Sequence, residues 1–352
     1  MPVTPRSRRA PVLLALLVLA AACGAKKSGL PSSATSTTAS TSTTMAPPPV
    51  APLTGLPQPN AAALVRRAIV VKIDNVDEAR PQSGLDSADI VFEEQVEGQL
   101  TRLIAIFQST TTGRVGPVRS TRTTDIDIVS ALNGPLYAYS GGNKSYVAQL
   151  DASPVIDVGA AKYAAPYYVY SGPHVAPHDL YASTAALYGL APAGSSPPPP
   201  FFVYRAAGKA VTAAGAAPAT HVDVNFGMAT AAWDWDVASM TWKRSQNGTA
   251  DVLQDGTQIS AANVIVQTIA YAPDGYATGE GVSPPPPIPK GQTVGTGTAL
   301  ILTDGMVIQA HWTKASPTAV TQYTDASGRP VALTPGQTWV ELAPVGAPVN
   351  VH

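Results

Sequence analysis

Cysteine is all but missing from this 352-residue sequence. Its single copy, Cys23, leaves no partner for an intramolecular disulfide and no basis for a thiolate-built metal centre. Charge is sparse too: Asp, Glu, Lys and Arg make up 13% of residues, with 22 basic side chains against 23 acidic ones. That balance excludes the clustered basic footprint of a nucleic-acid-binding protein. No apolar run reaches the roughly 20 residues that a membrane-spanning helix requires. Also absent are a Walker A loop, an HExxH helix, a Ser-His-Asp order, a dinucleotide fingerprint and an internal repeat.

The amino terminus carries the clearest signal. Arg6, Arg8 and Arg9 precede an apolar run at 10–22 that ends in Ala20-Ala21-Ala22, directly before Cys23. A basic segment, a short apolar segment and small residues before a cleavage point describe a secretory signal peptide, 1–22. A lone cysteine at that point resembles a bacterial lipobox, whose thiol takes the lipid. The alternative is plain cleavage that leaves a free thiol. Export then predicts a lipid-anchored protein on the extracytoplasmic face of the cell membrane. Loss of the three arginines takes the formal charge from −1 to −4.

Residues 28–64 contain no charge, and 32–44 are almost entirely Ser and Thr. Such a composition buries too little apolar surface to offset ordering entropy. The reading is a disordered Ser/Thr/Pro tether over 23–64, spanning roughly 30 Å as a random coil. Beyond the tether, the pattern predicts a mixed α/β (α+β) protein: a larger mixed-sheet domain with helices at 65–195, a Pro/Ala-rich peripheral insert at 196–220, and a smaller β-rich C-terminal region at 221–352. In the last, Trp233 and Trp235 alternate on one strand face, 264–269 reads as a central strand, and Asp304-Gly305 marks a hairpin. The five tryptophans, all beyond residue 230, suit inter-sheet packing, with glycan stacking as the alternative.

The scarce charge is concentrated at 69–122, which holds Asp74, Asp86, Asp89, Glu93, Glu94, Glu97, Arg102, Arg119 and Arg122 among strand-forming apolar residues. Charges in such a setting are paired, bind something, or shift their pKa. The apolar run 68–73, broken only by Lys72, predicts a buried strand that delivers Asp74 and Asn75 to its end, where α/β proteins place their sites. Segments 89–96 and 101–108 predict a hairpin around Glu97-Gly98. Ile126, Val129 and Leu132 predict a helix stopped by Asn133-Gly134-Pro135, with Ser or Thr at its N-cap beside Arg119 and Arg122. Free N–H groups and guanidinium forks there suit a phosphate or carboxylate. The competing reading is internal pairing, with Asp86, Asp89, Glu93 and Glu97 consuming the arginines. Gly141-Gly142-Asn143-Lys144-Ser145 is a second candidate cradle, or simply a helix cap.

His174, His178 and Asp179 lie within six residues, but Pro173 and Pro177 make the segment a loop, so no metal is expected there. His178 and Asp179 bond the start of a helix at 182–190, or His178 lines an anionic pocket with the arginines.

Longer motifs add a family. IDN, ARPQSGL, ADIV, the TR and AIFQ of 101–108, VGPVRS, the His-Asp-Leu-Tyr of 178–181, NVIVQ at 263–267 and PGQTWVEL at 335–342 resemble the YerB-like bacterial lipoproteins. The resemblance spans roughly 52–344 and implies a two-part lipoprotein. It carries no established reaction or catalytic residue. The expectation is therefore a non-enzymatic binding or scaffolding factor of the cell envelope, needing no cofactor. An anionic ligand, such as a wall precursor or wall polymer, would sit at Arg102, Arg119, Arg122, Asp74, Asn75, Glu93 and His178. An envelope protein partner is the other expected contact, and nucleic acid is not one. The alternative is an envelope hydrolase or transferase acting on a phosphate- or glycan-containing substrate through Arg, Glu and Asp.

Overall fold

The computed structural model describes residues 49–170, 172–277 and 287–352. The signal segment, Cys23, tether residues 23–48 and residues 278–286 lie outside them.

The run that reads as a buried strand is one. β1 (Ile69–Asp74) is buried at every position. It pairs antiparallel with β3 (Thr101–Phe107), which pairs antiparallel with β2 (Ile90–Gln95). On its other side β1 runs parallel to β4 (Leu136–Ala138), and β4 to β5 (Ile156–Asp157). Among the described residues this sheet has 11 strands. Its order continues from β2 through Thr338–Pro344, Asn263–Ile269, Gly295–Thr303, Met306–Lys314 and Gln322–Thr324, with Ala217–Pro218 beside Met306–Lys314. Residues from 65–195 and from 221–352 thus share one sheet, joined where Ile90–Gln95 runs parallel to Thr338–Pro344. Parallel and antiparallel pairs are interspersed, so the fold is mixed α+β.

Both faces of this sheet are covered, which is why its central strands read as continuous apolar runs. On one face Ile69, Val71, Val91, Leu103 and Trp339 pack against Val222, Val224, Trp233 and Trp242 of a second, six-stranded sheet. Trp233 and Trp339 meet edge to face at 5.2 Å, which adds about 0.5–1.5 kcal/mol to their burial. On the other face Val70, Ile90, Phe92, Ile104 and Val340 pack against Ile128 and Val129 of α2 (Thr123–Val129) and Leu150 of α3 (Lys144–Asp151). α1 (Ala61–Val65) and α4 (Thr184–Tyr188) are short additions.

Two expectations are corrected. The tether reading fails for 49–64: Ala51, Leu53 and Ala63 are buried and α1 is capped by Asn60. Composition misleads there because a few apolar side chains suffice once a finished sheet offers a surface to cover. The 196–220 insert is not wholly peripheral either. Phe201 and Phe202 enter the core beside Phe92 and Tyr323, whereas most of 206–218 stays exposed or half-buried.

Candidate functional site

Asp74 ends β1 with a carboxylate that is 1% exposed, while its partners Arg119 and His178 are 24% and 16% exposed, so a solute can reach them. Asp74 Oδ2 accepts from His178 Nδ1 at 2.8 Å and lies 2.7 Å from Arg119 Nε. The arginine contact is an ion pair, since its Nε–H lies off the hydrogen-bond direction. Asp74 Oδ1 accepts the Asn75 backbone N–H at 3.0 Å.

Arg102 stands opposite Asp74 in the β1–β3 ladder. Its Nη1 donates to the Ser120 carbonyl at 3.1 Å, and Arg122 Nη1 donates to the same oxygen at 3.3 Å. Arg122 also grips Glu97 Oε2 through Nε at 3.0 Å and Nη2 at 2.8 Å. Burial alone would raise the Glu97 carboxyl, but Arg122 holds it below its ordinary range. Arg102 is pushed down to about 10, first by burial and then by Arg122 and Arg119, against the pull of Asp74 and Glu97. Three guanidiniums thus face two carboxylates. Among the described residues Arg102 has no carboxylate at ion-pair distance.

The two sequence-derived anion cradles lie side by side. Thr121 N–H donates to the Gly141 carbonyl at 3.1 Å and Ser140 N–H to that of Arg119 at 2.9 Å. Contact is so close that a Cβ on Gly142 would come within 2.7 Å of Thr121 Cγ2. The helix ends themselves differ from expectation. Residue Arg122, not a Ser or Thr, is the N-cap of α2, and Asp125 Oδ2 takes its backbone N–H at 2.6 Å. The α3 turn is an ordinary cap, with Asn143 Oδ1 accepting from Ser145 N–H at 3.1 Å. His178 does not bond the start of α4, whose cap is Ser183. His174 goes elsewhere, to the Pro81 carbonyl at 3.0 Å.

Asn75 and Glu93 point away from the arginines, because the strand alternation turns them to the opposite face. Asn75 Nδ2 donates to Glu93 Oε1 at 3.0 Å and to Thr101 Oγ1 at 2.9 Å. Glu93 in turn receives Arg244 Nη2 at 2.6 Å, and Arg244 also pairs with Asp251. All three are buried, and the Arg244 guanidinium lies over the Trp339 ring at 4.9 Å. Beside them Glu341 accepts from Trp233 Nε1 at 2.8 Å. Burial, then the adjacent Glu93, pushes the Glu341 carboxyl well above its ordinary range. Glu94, one residue on, faces the helices and meets Lys72, which also holds Asp125 at 2.7 Å. Asp89 instead accepts the Gln108 and Ser109 N–H groups. Of the pairings expected for the arginines, only Glu97 is used.

Sequence reading missed Arg244, Asp251 and Glu341. A signal existed: Trp242, Arg244 and Gln246 share a face of Thr241–Gln246, and that face is the buried one. A cation at an inward strand position demands buried counter-charges.

The "Protein of unknown function (DUF3048)" family matches with its N-terminal domain over residues 53–195 and its C-terminal domain over 222–340. The chain belongs to this family. A segment of 113 residues is 41% identical to "Putative lipoprotein YerB" of Bacillus subtilis (strain 168), and it spans 32% of this chain and 32% of that relative. The crystal structure of the Bacillus subtilis YerB protein aligns with a TM-score of 0.71 at 23% identity, covering 86% of this chain and 99% of the other. That likeness supports the fold alone. In this family member the arginine cluster lies wholly within the N-terminal match.

Proposed function

We propose that this protein is a lipid-anchored, extracytoplasmic envelope protein that binds an anionic ligand at Arg102, Arg119 and Arg122, beside His178. The signal segment and Cys23 support the anchor, and the lipoprotein name of the Bacillus relative agrees with it. The observation that carries the ligand reading is Arg102. It is a half-buried guanidinium with two arginine neighbours and, among the described residues, no carboxylate at ion-pair distance. A tetrahedral oxyanion would relieve that repulsion and engage the free N–H groups of forks already fixed in place. A phosphate-bearing wall precursor or wall polymer has the right chemistry, and a protein partner with a phosphate or carboxylate would use the same groups. Asp74 and Glu97 hold Arg119 and Arg122 in position rather than receive ligand.

The test is thermal unfolding of the full chain with inorganic phosphate and with a short-chain polyprenyl phosphate, in parallel with Arg102→Gln. A ligand at 100 times its Kd stabilises the folded state by about 2.7 kcal/mol, a rise of about 4 °C for a chain of this size. That rise should disappear in Arg102→Gln while the unliganded midpoint stays within about a degree. No rise with either anion would leave the cluster as an internal ion network.

A further inference from the structure

The Asp74 oxygen that pairs with Arg119 also meets an imidazole, that of His178. We infer that His178 is a catalytic base for hydrolysis of a phosphate ester bound at Arg102, Arg119 and Arg122. This inference rests on the anion reading above.

The geometry is that of a carboxylate-oriented imidazole. The Asp74 carboxylate is buried, and its Oδ2 lies 2.8 Å from His178 Nδ1. Paired with the Arg119 guanidinium, that oxygen accepts, so the ring places its N–H on Nδ1 and presents the Nε2 lone pair. Among the described residues no hydrogen bond engages that Nε2. His174, four residues earlier, is by contrast committed to the Pro81 carbonyl. Asp74 therefore acts as a positioning residue: it fixes tautomer and ring plane and stabilises the imidazolium formed during reaction.

The surrounding groups suit phosphoryl chemistry. Charge in that transition state spreads over the non-bridging oxygens, where guanidiniums already held in place stabilise it. Arg102 and Arg122 converge on one carbonyl oxygen, that of Ser120, and Arg119 shares the Asp74 oxygen that orients the base. In the step, His178 Nε2 takes a proton from water as the water oxygen bonds to phosphorus. The phosphorus–oxygen bond to the leaving group breaks, and the proton passes from imidazolium to the departing oxygen. The products are an alcohol and a phosphate with one ester linkage fewer, and no redox change occurs. Glu93 and Glu94 are buried on pairs of their own and take no part.

The experiment pairs binding with turnover on the full chain. Inorganic phosphate binding is followed by calorimetry, and hydrolysis of p-nitrophenyl phosphate and bis(p-nitrophenyl) phosphate by release of nitrophenolate. The aryl leaving groups need no general acid, so the base alone is tested. His178→Asn should bind phosphate within about threefold of wild type yet lose 100-fold or more in kcat, the usual contribution of a positioned base. Its folding is checked by its unfolding midpoint, with His178→Gln as a second variant. Asp74→Asn should keep some turnover with an altered pH profile. Phosphate binding without hydrolysis of either ester, or hydrolysis that survives in folded His178→Asn, overturns the catalytic role while the anion site stands. Absence of phosphate binding overturns both.

Discussion

The buried pair on the helix face of the sheet makes a quantitative prediction about alkaline pH. Lys72 bridges Glu94 and Asp125, and none of the three is exposed. Asp125 also receives the Arg122 N–H at 2.6 Å and the hydroxyls of Thr121 and Tyr137, donors that Glu94 does not share. Burial would raise both carboxyls, but Lys72, then hydrogen bonds from Glu94 and Tyr137, hold Asp125 below its ordinary range. The proton therefore sits on Glu94, which burial and then Asp125 push from 4.5 up to about 8, against Lys72. Between those two values the folded state holds a proton that the unfolded chain has released. Its contribution to stability is fully present below pH 4.5 and is lost as pH rises through about 8. At about 1.4 kcal/mol per pH unit, that interval bounds the loss at roughly 5 kcal/mol, a large share of a typical total of about 5–15. Glu94→Gln is neutral at every pH and keeps a donor amide near Asp125. Urea unfolding of both proteins from pH 5 to 8.5 should give similar stabilities at the acid end. The variant should become the more stable by several kcal/mol at the alkaline end. Wild type and variant curves that stay parallel would refute the assignment of the proton to Glu94. Glu341 is raised in the same sense and is untouched by the substitution, so the variant itself should still weaken somewhat with pH.

The geometry sets three further outcomes. Arg244→Ala strands the buried carboxylates of Glu93 and Asp251 and should cost about 3–5 kcal/mol by urea unfolding, whereas Arg119→Gln at the more open site should cost under about 1. Leu53→Ala should cost about 2–5 kcal/mol; an effect below about 0.5 would restore the tether reading for this stretch. Cys23→Ser should move the exported protein from the membrane pellet to the soluble fraction, and unchanged pelleting would remove the lipid anchor from the proposal.

What the sequence makes legible depends on the range of the interactions. The strand at β1, the hairpin of β2 and β3, the helix stopped at Asn133-Gly134 and the Asp304-Gly305 hairpin depend on local periodicity and turn chemistry, and each stands where those rules place it. Proximity in sequence also locates the charge cluster, but not its wiring. Arg119 finds Asp74 because β1 and the loop after 116 run side by side, as the Asp74 and Arg119 backbone bonds show. Glu93 finds Arg244 across 151 residues, a distance no window can span.

The decisive lesson lies in one dipeptide. Glu93 and Glu94 look in sequence like a pair of neighbouring carboxylates suited to acid–base work. Strand alternation sends them to opposite faces, one to Arg244 between the sheets and one to Lys72 beneath α2. Each is then fixed by a buried cation, and each lies beside a second buried acid, Glu341 or Asp125. The carboxylate left to serve the surface is Asp74, because β1 ends there and the chain turns away. A single strand terminus thus separates acids that hold the fold together from the acid that meets Arg119 and His178 at the more open site.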